Sequence, residues 1–211
     1  LWIHIIILFG NDQWEMGRNQ SNIETPWCIA ACGLFDPFGG SFGYGGVILG
    51  VLAFACDARS SKAVDAVYRL KQREDSKALI CLVADREMLE AYVGQLPDAL
   101  LPYLEEERPT TIIYPKVKGV SERLCAEDGS IGIRIAKDEF CPKLIQALGA
   151  PIVSTSANIS GTASPQQYKD IATEILTGVD HIVPLRQNEK QAQASRIIRL
   201  QADNSIAILR P

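Results

Sequence analysis

The 211-residue sequence lacks the short motifs that mark several well-known enzyme classes. It has no GxSxG turn of a serine hydrolase, no Walker A lysine motif and no HExxH zinc motif. Its two histidines lie outside any pattern that would make either of them an obvious general base. With these enzyme classes excluded, the sequence favours a reaction that depends on positioning the substrates and neutralising their charge, as in nucleotidyl transfer.

Long apolar runs and an excess of basic residues are also missing. The apolar start, residues 1–9, is shorter than the roughly 20 residues of a membrane-spanning helix, and no basic residue precedes it as in a signal peptide. We therefore expect a buried strand there, and a cytoplasmic protein without membrane contact. The 21 basic and 25 acidic residues give a net charge of −4, which argues against a protein that coats nucleic acid but leaves room for a local basic pocket.

Cysteine is present without the spacing of a metal site. Six cysteines are scattered along the chain, and Cys28 and Cys32 have no second pair to complete a structural zinc site. A chain of this length can also build a core without disulfides. We predict that the protein itself has no metal ligands.

The composition changes near residue 55. Residues 1–55 contain one arginine, Arg18, no lysine, all three tryptophans and nine of the 16 glycines. The rest of the chain carries the remaining 20 basic and 21 acidic side chains, an ordinary globular mixture. We expect residues 1–44 to be an atypical N-terminal segment and residues 45–211 to form one domain.

From residue 56 onward the chain alternates helical and strand patterns. Apolar spacing of three and four residues predicts helices, with Ser60 or Ser61 capping the first and a Ser164–Pro165 start for the last. Continuous apolar or β-branched runs predict buried strands. This mixture indicates a layered α/β or α+β domain with a mixed sheet. The predicted helices are 61–73, 85–93, 97–104, 138–148 and 165–176, and the predicted strands are 78–83, 110–114, 131–135, 151–154, 181–184, 196–200 and 205–209.

Three clusters are candidates for binding. Lys71, Arg73 and Lys77 lie at a predicted helix end and suit a polyphosphate, or else they only offset the helix dipole. The hydroxyl-rich run 154–161 follows a predicted strand and suits phosphates or a ribose, or else it only satisfies its own backbone. Arg134 is a lone cation in an apolar strand, so it must face a cleft or form a structural ion pair.

These clusters, in this order, resemble the landmarks of the YrdC-like family of threonylcarbamoyl-AMP synthases. The combination of KxR with TSANxSG is the specific part of the resemblance, which runs from about residue 45 to the end. The resembling segments are Gly45–Leu49, Ala55–Ala58, Lys71–Arg73 with Ser76 and Lys77, Ile131–Arg134, Ser154–Asn158 with Ser160 and Gly161, and the closing Arg210–Pro211.

The resemblance implies a single twisted mixed-sheet α/β domain with a concave basic cleft. It also implies a nucleotidyltransferase that forms threonylcarbamoyl-AMP and pyrophosphate from L-threonine, bicarbonate and ATP with Mg²⁺. In this family the product passes to a partner transferase that modifies adenosine 37 of tRNA. A runner-up from another class is a non-catalytic member whose concave surface binds double-stranded RNA.

Carried over residue by residue, the resemblance implies site roles but no covalent catalyst. The carboxylate of threonine carbamate would attack the α-phosphate in line, so no catalytic residue is implied. Threonine would be contacted by Lys77, Arg134 and Ser195. ATP would be contacted by Lys71, Arg73, Thr111, Ser154, Ser156, Asn158 and Arg210.

The sequence departs from the family pattern before residue 55. The family has a proline-threonine-aspartate-threonine loop that closes around threonine, where this chain reads Gly50–Phe54. The chain is therefore either a divergent member that has lost threonine selection, or its first 55 residues are not the natural sequence of this region. The change in composition favours the second explanation.

Overall fold

The computed structural model describes residues 3–8, 51–72, 79–179, 181–182 and 195–211, and these residues form one mixed sheet with helices against it. Within those ranges the sheet has nine strands in the order β7-β1-β2-β6-β3-β5-β4-β8-β9. Their bounds are β1 Ile3–Leu8, β2 Val51–Asp57, β3 Ile80–Val83, β4 Thr110–Tyr114, β5 Ile131–Ile135, β6 Ile152–Ser156, β7 His181–Ile182, β8 Arg196–Leu200 and β9 Ile206–Arg210.

Parallel and antiparallel pairs are mixed within this sheet. Strands β1 and β2, β3 and β5, and β4 and β8 are parallel, whereas β6 runs antiparallel to both β2 and β3. The mixed-sheet α/β class expected from the sequence is therefore confirmed. The predicted apolar strand at the start of the chain is confirmed as a strand by β1. The family landmark Gly45–Leu49 lies outside the described residues.

Local signals set most helix boundaries. The helices are α1 Ser61–Leu70, α2 Arg86–Val93, α3 Leu101–Glu105, α4 Cys141–Leu148 and α5 Thr173–Thr177. The Ser60 hydroxyl accepts the N–H of Ala63 at 3.2 Å, and the Asp85 carboxylate accepts the N–H of Met88 at 2.8 Å. Both side chains thereby satisfy donors that a helix start leaves unpaired. Helix α4 ends at Gly149, whose φ of 64° is the left-handed conformation that glycine adopts without strain.

Four predicted helices differ from the structure, and one of them, 138–148, begins at Cys141. Helix 97–104 is a 3₁₀ turn, Asp98–Leu100, that continues into α3, and helix 61–73 ends at Leu70. The predicted helix 165–176 is wrong, since it is a 3₁₀ turn, Tyr168–Asp170, followed by α5. The Asp170 carboxylate accepts the N–H of Gln167 at 2.9 Å, so this acid closes a short turn instead of continuing a helix.

The two faces of the sheet are covered by different helices. Side chains alternate between faces along each strand. On the first face, Cys81, Ile133 and Val153 belong to the larger core with residues of α1 and α2. On the second face, Leu82 and Ile152 pack against α4. The remaining second-face positions carry most of the described polar residues that the sequence singled out.

Candidate functional site

Strand register brings several candidate residues to the second face. Ser154 of β6 pairs with Ile80 of β3, and Ile80 pairs with Gly132 of β5. Arg134 lies two residues beyond Gly132 and therefore points to the same side of the sheet. A side chain added at Gly132 would meet a methyl group of Thr111 at 3.3 Å, which places Thr111 on this face as well. Two predicted cluster positions, Ser154 and Arg134, thus share one surface with Thr111.

The hydroxyl-rich run after β6 is held by the end of helix α1. The ammonium group of Lys71 donates to the backbone oxygen of Ser156, to the backbone oxygen of Asn158 at 2.8 Å and to Oδ1 of Asn158 at 3.4 Å. The backbone oxygen of Lys71 accepts the N–H of Ser160 at 2.8 Å. Lys71 is only 2 % exposed. The structure therefore joins the first and second predicted clusters, 85 residues apart in sequence.

The side chain of Asn158 is fully engaged within this loop. Its Oδ1 accepts from the Ser156 hydroxyl at 2.5 Å and from Lys71, and its Nδ2 donates to the backbone oxygens of Ile159 at 3.1 Å and Thr162 at 2.7 Å. An amide side chain has two donors and two acceptor positions, so this set uses its whole capacity. In the geometry described, Asn158 shapes the loop, and the contact with nucleotide predicted for it stays a prediction.

Arg134 is a buried cation whose guanidinium Nε has no hydrogen-bond partner. The residue is 4 % exposed, and in the described part of the chain no carboxylate lies within 4 Å of it. Burial lowers the pKa of Arg134 to about 10, while Cys141 and Asp138 raise it and Arg210 lowers it further. The structural ion pair that the sequence left open is thus not formed among the described residues.

Asp138 is a partly buried carboxylate whose charge acts on Arg134, and the sequence analysis did not single it out. Its Oδ1 accepts the N–H groups of Phe140 at 2.9 Å and Cys141 at 2.7 Å at the start of α4, and its Oδ2 is buried without a partner. The signal for it in the sequence is an aspartate followed four residues later by Pro142, since aspartate side chains accept from backbone N–H groups two or three residues further on and proline is common in the first turn of a helix. The predicted helix began at this residue, so its capping function was hidden inside the helix.

Thr111, Ser195 and Arg210 form a connected polar group on and beside strands β4, β8 and β9, next to the strand that carries Arg134. The hydroxyls of Thr111 and Ser195 lie 3.2 Å apart, and both residues are buried. Arg210 donates to the backbone oxygen of Ser195 at 2.8 Å and to its hydroxyl at 3.3 Å. Arg210 is close enough for its charge to lower the pKa of Arg134. Two neighbouring cations favour the binding of an anionic ligand.

Two candidate residues, Arg73 and Lys77, fall outside the described residues. Most of the segment that departs from the family loop, Val51–Phe54, forms the first part of strand β2. Among the described residues, no group of three or more His, Cys, Asp or Glu side chains is arranged to hold a metal ion. No helix in the described ranges is long and apolar enough to cross a membrane.

Comparison with known sequences shows the family of the chain. The family model of Sua5, YciO and YrdC proteins, described as "Telomere recombination", matches residues 48–211. A Methanocaldococcus jannaschii protein with the provisional name threonylcarbamoyl-AMP synthase is 36 % identical over 160 residues, which cover 73 % of this chain and 72 % of the relative. A Photobacterium profundum protein named threonylcarbamoyl-AMP synthase is 34 % identical over 133 residues, 60 % of this chain and 70 % of the relative.

Solved structures share the fold. P. abyssi Sua5 complexed with L-threonine matches with a TM-score of 0.67 and 24 % identity over 76 % of this chain and 47 % of that one. E. coli YciO matches with a TM-score of 0.64 and 19 % identity over 99 % of this chain and 94 % of that one. The chain thus spans about half the length of the Sua5 structure and nearly all of YciO.

Proposed function

The chain belongs to the Sua5/YciO/YrdC family, and we propose that it is a threonylcarbamoyl-AMP synthase. It would convert L-threonine, bicarbonate and ATP into threonylcarbamoyl-AMP and pyrophosphate. The curated relatives carry the name of this activity at 34–36 % identity, which supports the proposal at the level of the family. The geometry of the second face supports it at the level of the site.

The observation that carries the proposal is the buried Arg134. A guanidinium removed from water without a partner is unfavourable by several kcal/mol, so a protein keeps one where a ligand supplies the missing charge. Arg134 lies on the same face as Ser154 and Thr111. We assign it the carboxylate of threonine, the group that the site must hold while the amino group reacts.

The nucleotide occupies the other part of the face in this proposal. The loop 154–160 offers hydroxyls and backbone N–H groups, which suit phosphate oxygens and a ribose. Arg73, in the neighbouring segment, neutralises the triphosphate, and Lys77 lines the substrate side. The group of Thr111, Ser195 and Arg210 lies on the side of Arg134 away from the loop and adds further hydrogen-bond donors for an anion.

The reaction requires positioning more than covalent catalysis. The amino group of threonine first takes up the carbon of bicarbonate as a carbamate, with loss of water. A carbamate oxygen then attacks the α-phosphorus in line, the bond from that phosphorus to the bridging oxygen of the β-phosphate breaks, and pyrophosphate leaves. The charge of the leaving pyrophosphate would be offset in part by the Mg²⁺ that ATP carries as substrate. The chain's own residues hold the two anionic substrates close together in spite of their repulsion.

Pyrophosphate release tests the proposal. We expect release from ATP only when L-threonine and bicarbonate are both present. A preparation that binds ATP but releases no pyrophosphate would contradict the synthase function. Strong salt-dependent binding of double-stranded RNA without turnover would instead support the non-catalytic alternative. The proposal also implies a transferase partner that acts on tRNA and a cytoplasmic location. Both depend on the synthase function.

A further inference from the structure

Lys71 contacts the hydroxyl-rich loop with both its side chain and its backbone. The ammonium group has three N–H donors, and three loop oxygens accept from it: the backbone oxygens of Ser156 and Asn158 and the amide oxygen of Asn158. The backbone oxygen of Lys71 accepts from Ser160. One residue therefore fixes the loop at its beginning, its middle and its end.

The same contacts orient the peptide groups of the loop. In a trans peptide the C=O and N–H bonds point in opposite directions, and the described residues contain no cis peptide. Because the carbonyls of Ser156 and Asn158 point at the ammonium, the N–H groups of Ala157 and Ile159 point away from it. The cation thus decides which side of the loop presents carbonyl oxygens, which repel phosphate, and which side presents donors.

We propose that Lys71 is a positioning residue, which acts on the nucleotide through the loop 156–160 and does not itself contact the triphosphate. Its burial to 2 % exposure supports this, since an ammonium enclosed by loop oxygens gains its stabilisation from them. Asn158 belongs to the same unit, because its Oδ1 connects Lys71 with the Ser156 hydroxyl. The identity of the ligand rests on the proposed function, whereas the internal role of Lys71 does not.

Hydrogen exchange in the ligand-free protein tests this role directly. Lys71→Met removes the ammonium and keeps the length of the side chain, and the exposed Lys62 on the same helix gives the matched control Lys62→Met. The N–H groups of Asn158 and Ser160 are hydrogen-bonded to backbone oxygens in the loop geometry that the ammonium maintains. We therefore expect both amides to exchange at least about tenfold faster in Lys71→Met. Unchanged exchange together with lost ATP affinity would show that Lys71 contacts the phosphates, and would overturn the proposal.

A double-mutant cycle on ATP affinity gives a second, independent readout. If Lys71 and Asn158 act as one unit, Lys71→Met combined with Asn158→Ala should bind ATP no more than about twofold more weakly than the worse single variant. Losses that multiply would mean that the two residues contact ATP separately, and would contradict the proposal. The KM for ATP should rise in each single variant while the KM for L-threonine changes less than about twofold, a split that a general loss of stability would not produce.

These experiments separate the proposal from the proposed function. Exchange and ATP affinity need no turnover, so a protein that releases no pyrophosphate still decides the role of Lys71. If Lys71→Met does not fold, Asn158→Ala removes the amide acceptor and carries the same exchange test at Ser160. Lost ATP affinity together with unchanged exchange at Ser160 in that variant would mean that the loop contacts do not position the nucleotide, and would overturn the proposal.

Discussion

Replacing Arg134 with methionine should make the ligand-free protein more stable and the enzyme inactive. The guanidinium is 4 % exposed, and burial lowers its pKa to about 10. At neutral pH the side chain is charged in the folded and unfolded states, and only the folded state disfavours the charge. Removing the cation therefore removes a cost of folding, while it also removes the group that we assign to the threonine carboxylate.

The size of the effect follows from the lowered pKa. Each pKa unit corresponds to about 1.4 kcal/mol, so the folded environment disfavours the charged guanidinium by about 3 kcal/mol. Methionine has a similar length and suits an irregular apolar space, although its packing will not be ideal. We expect the free energy of unfolding to rise by about 1–3 kcal/mol, and each kcal/mol should raise Tm by about 2–4 °C in a domain of this size.

Denaturant and thermal unfolding, measured without substrates, provide the assay. The control is Arg199→Met, because Arg199 forms an exposed ion pair with Asp128 at 2.8 Å, and its loss should change the free energy of unfolding by less than about 0.5 kcal/mol. Threonine-dependent pyrophosphate release should fall at least about 100-fold in Arg134→Met only. A variant destabilised by more than about 1 kcal/mol would mean that Arg134 has a structural partner in the native protein, and would refute this reasoning.

Three further predictions concern the nucleotide side, the floor of the site and acid stability. Arg73→Ala should weaken ATP binding by at least about tenfold in calorimetry through loss of a phosphate contact, and Lys71→Ala should do so through loss of the loop geometry; wild-type affinity in both variants would remove the role of this segment in nucleotide binding. Gly132→Val should raise the KM of a substrate and also lower Tm, because a Cβ at this buried position would lie 3.3 Å from two neighbouring methyl groups; unchanged KM values would mean that this position does not border the site. Hydrogen bonds from Ser130 and then Arg199 hold the pKa of Asp128 well below its usual range, so its stabilising effect is present at neutral pH and is lost below about pH 4. Asp128→Asn should therefore lose less stability than the wild type between about pH 6 and pH 2.5 in urea unfolding, and parallel pH profiles would contradict this.

The strands were predictable where local chemistry alone decides the structure. β4, β5 and β8 begin and end at the predicted residues, because β-branched runs bounded by polar residues specify a buried strand without help from distant contacts. The Asp85 cap likewise placed the start of α2. The segment after Ser164 was mispredicted because its outcome depends on tertiary packing. The Asp170 carboxylate closes the turn before α5, and Ile171 and Ile175 are buried together with Ala157 of the hydroxyl-rich loop.

The sequence predicted which residues belong to the candidate site, but not the contacts between them. Residue type and position named Arg134, Ser154 and Thr111, and strand register then placed them on one face. No local pattern indicates that Lys71 turns into the loop at Ser156, because that contact closes 85 residues of chain. Helix-end lysines usually remain in water, and only the folded arrangement shows this one surrounded by oxygens.

The most direct test of the central claim follows the atoms of all three substrates into one product. The protein is incubated with ATP, labelled bicarbonate and labelled L-threonine, and the adenylates are separated and weighed by mass spectrometry. We predict a single new adenylate that carries both labels and is formed in equal amount with pyrophosphate. An adenylate that carries the threonine label but not the bicarbonate label, or no new adenylate from a protein that binds ATP, would contradict the account.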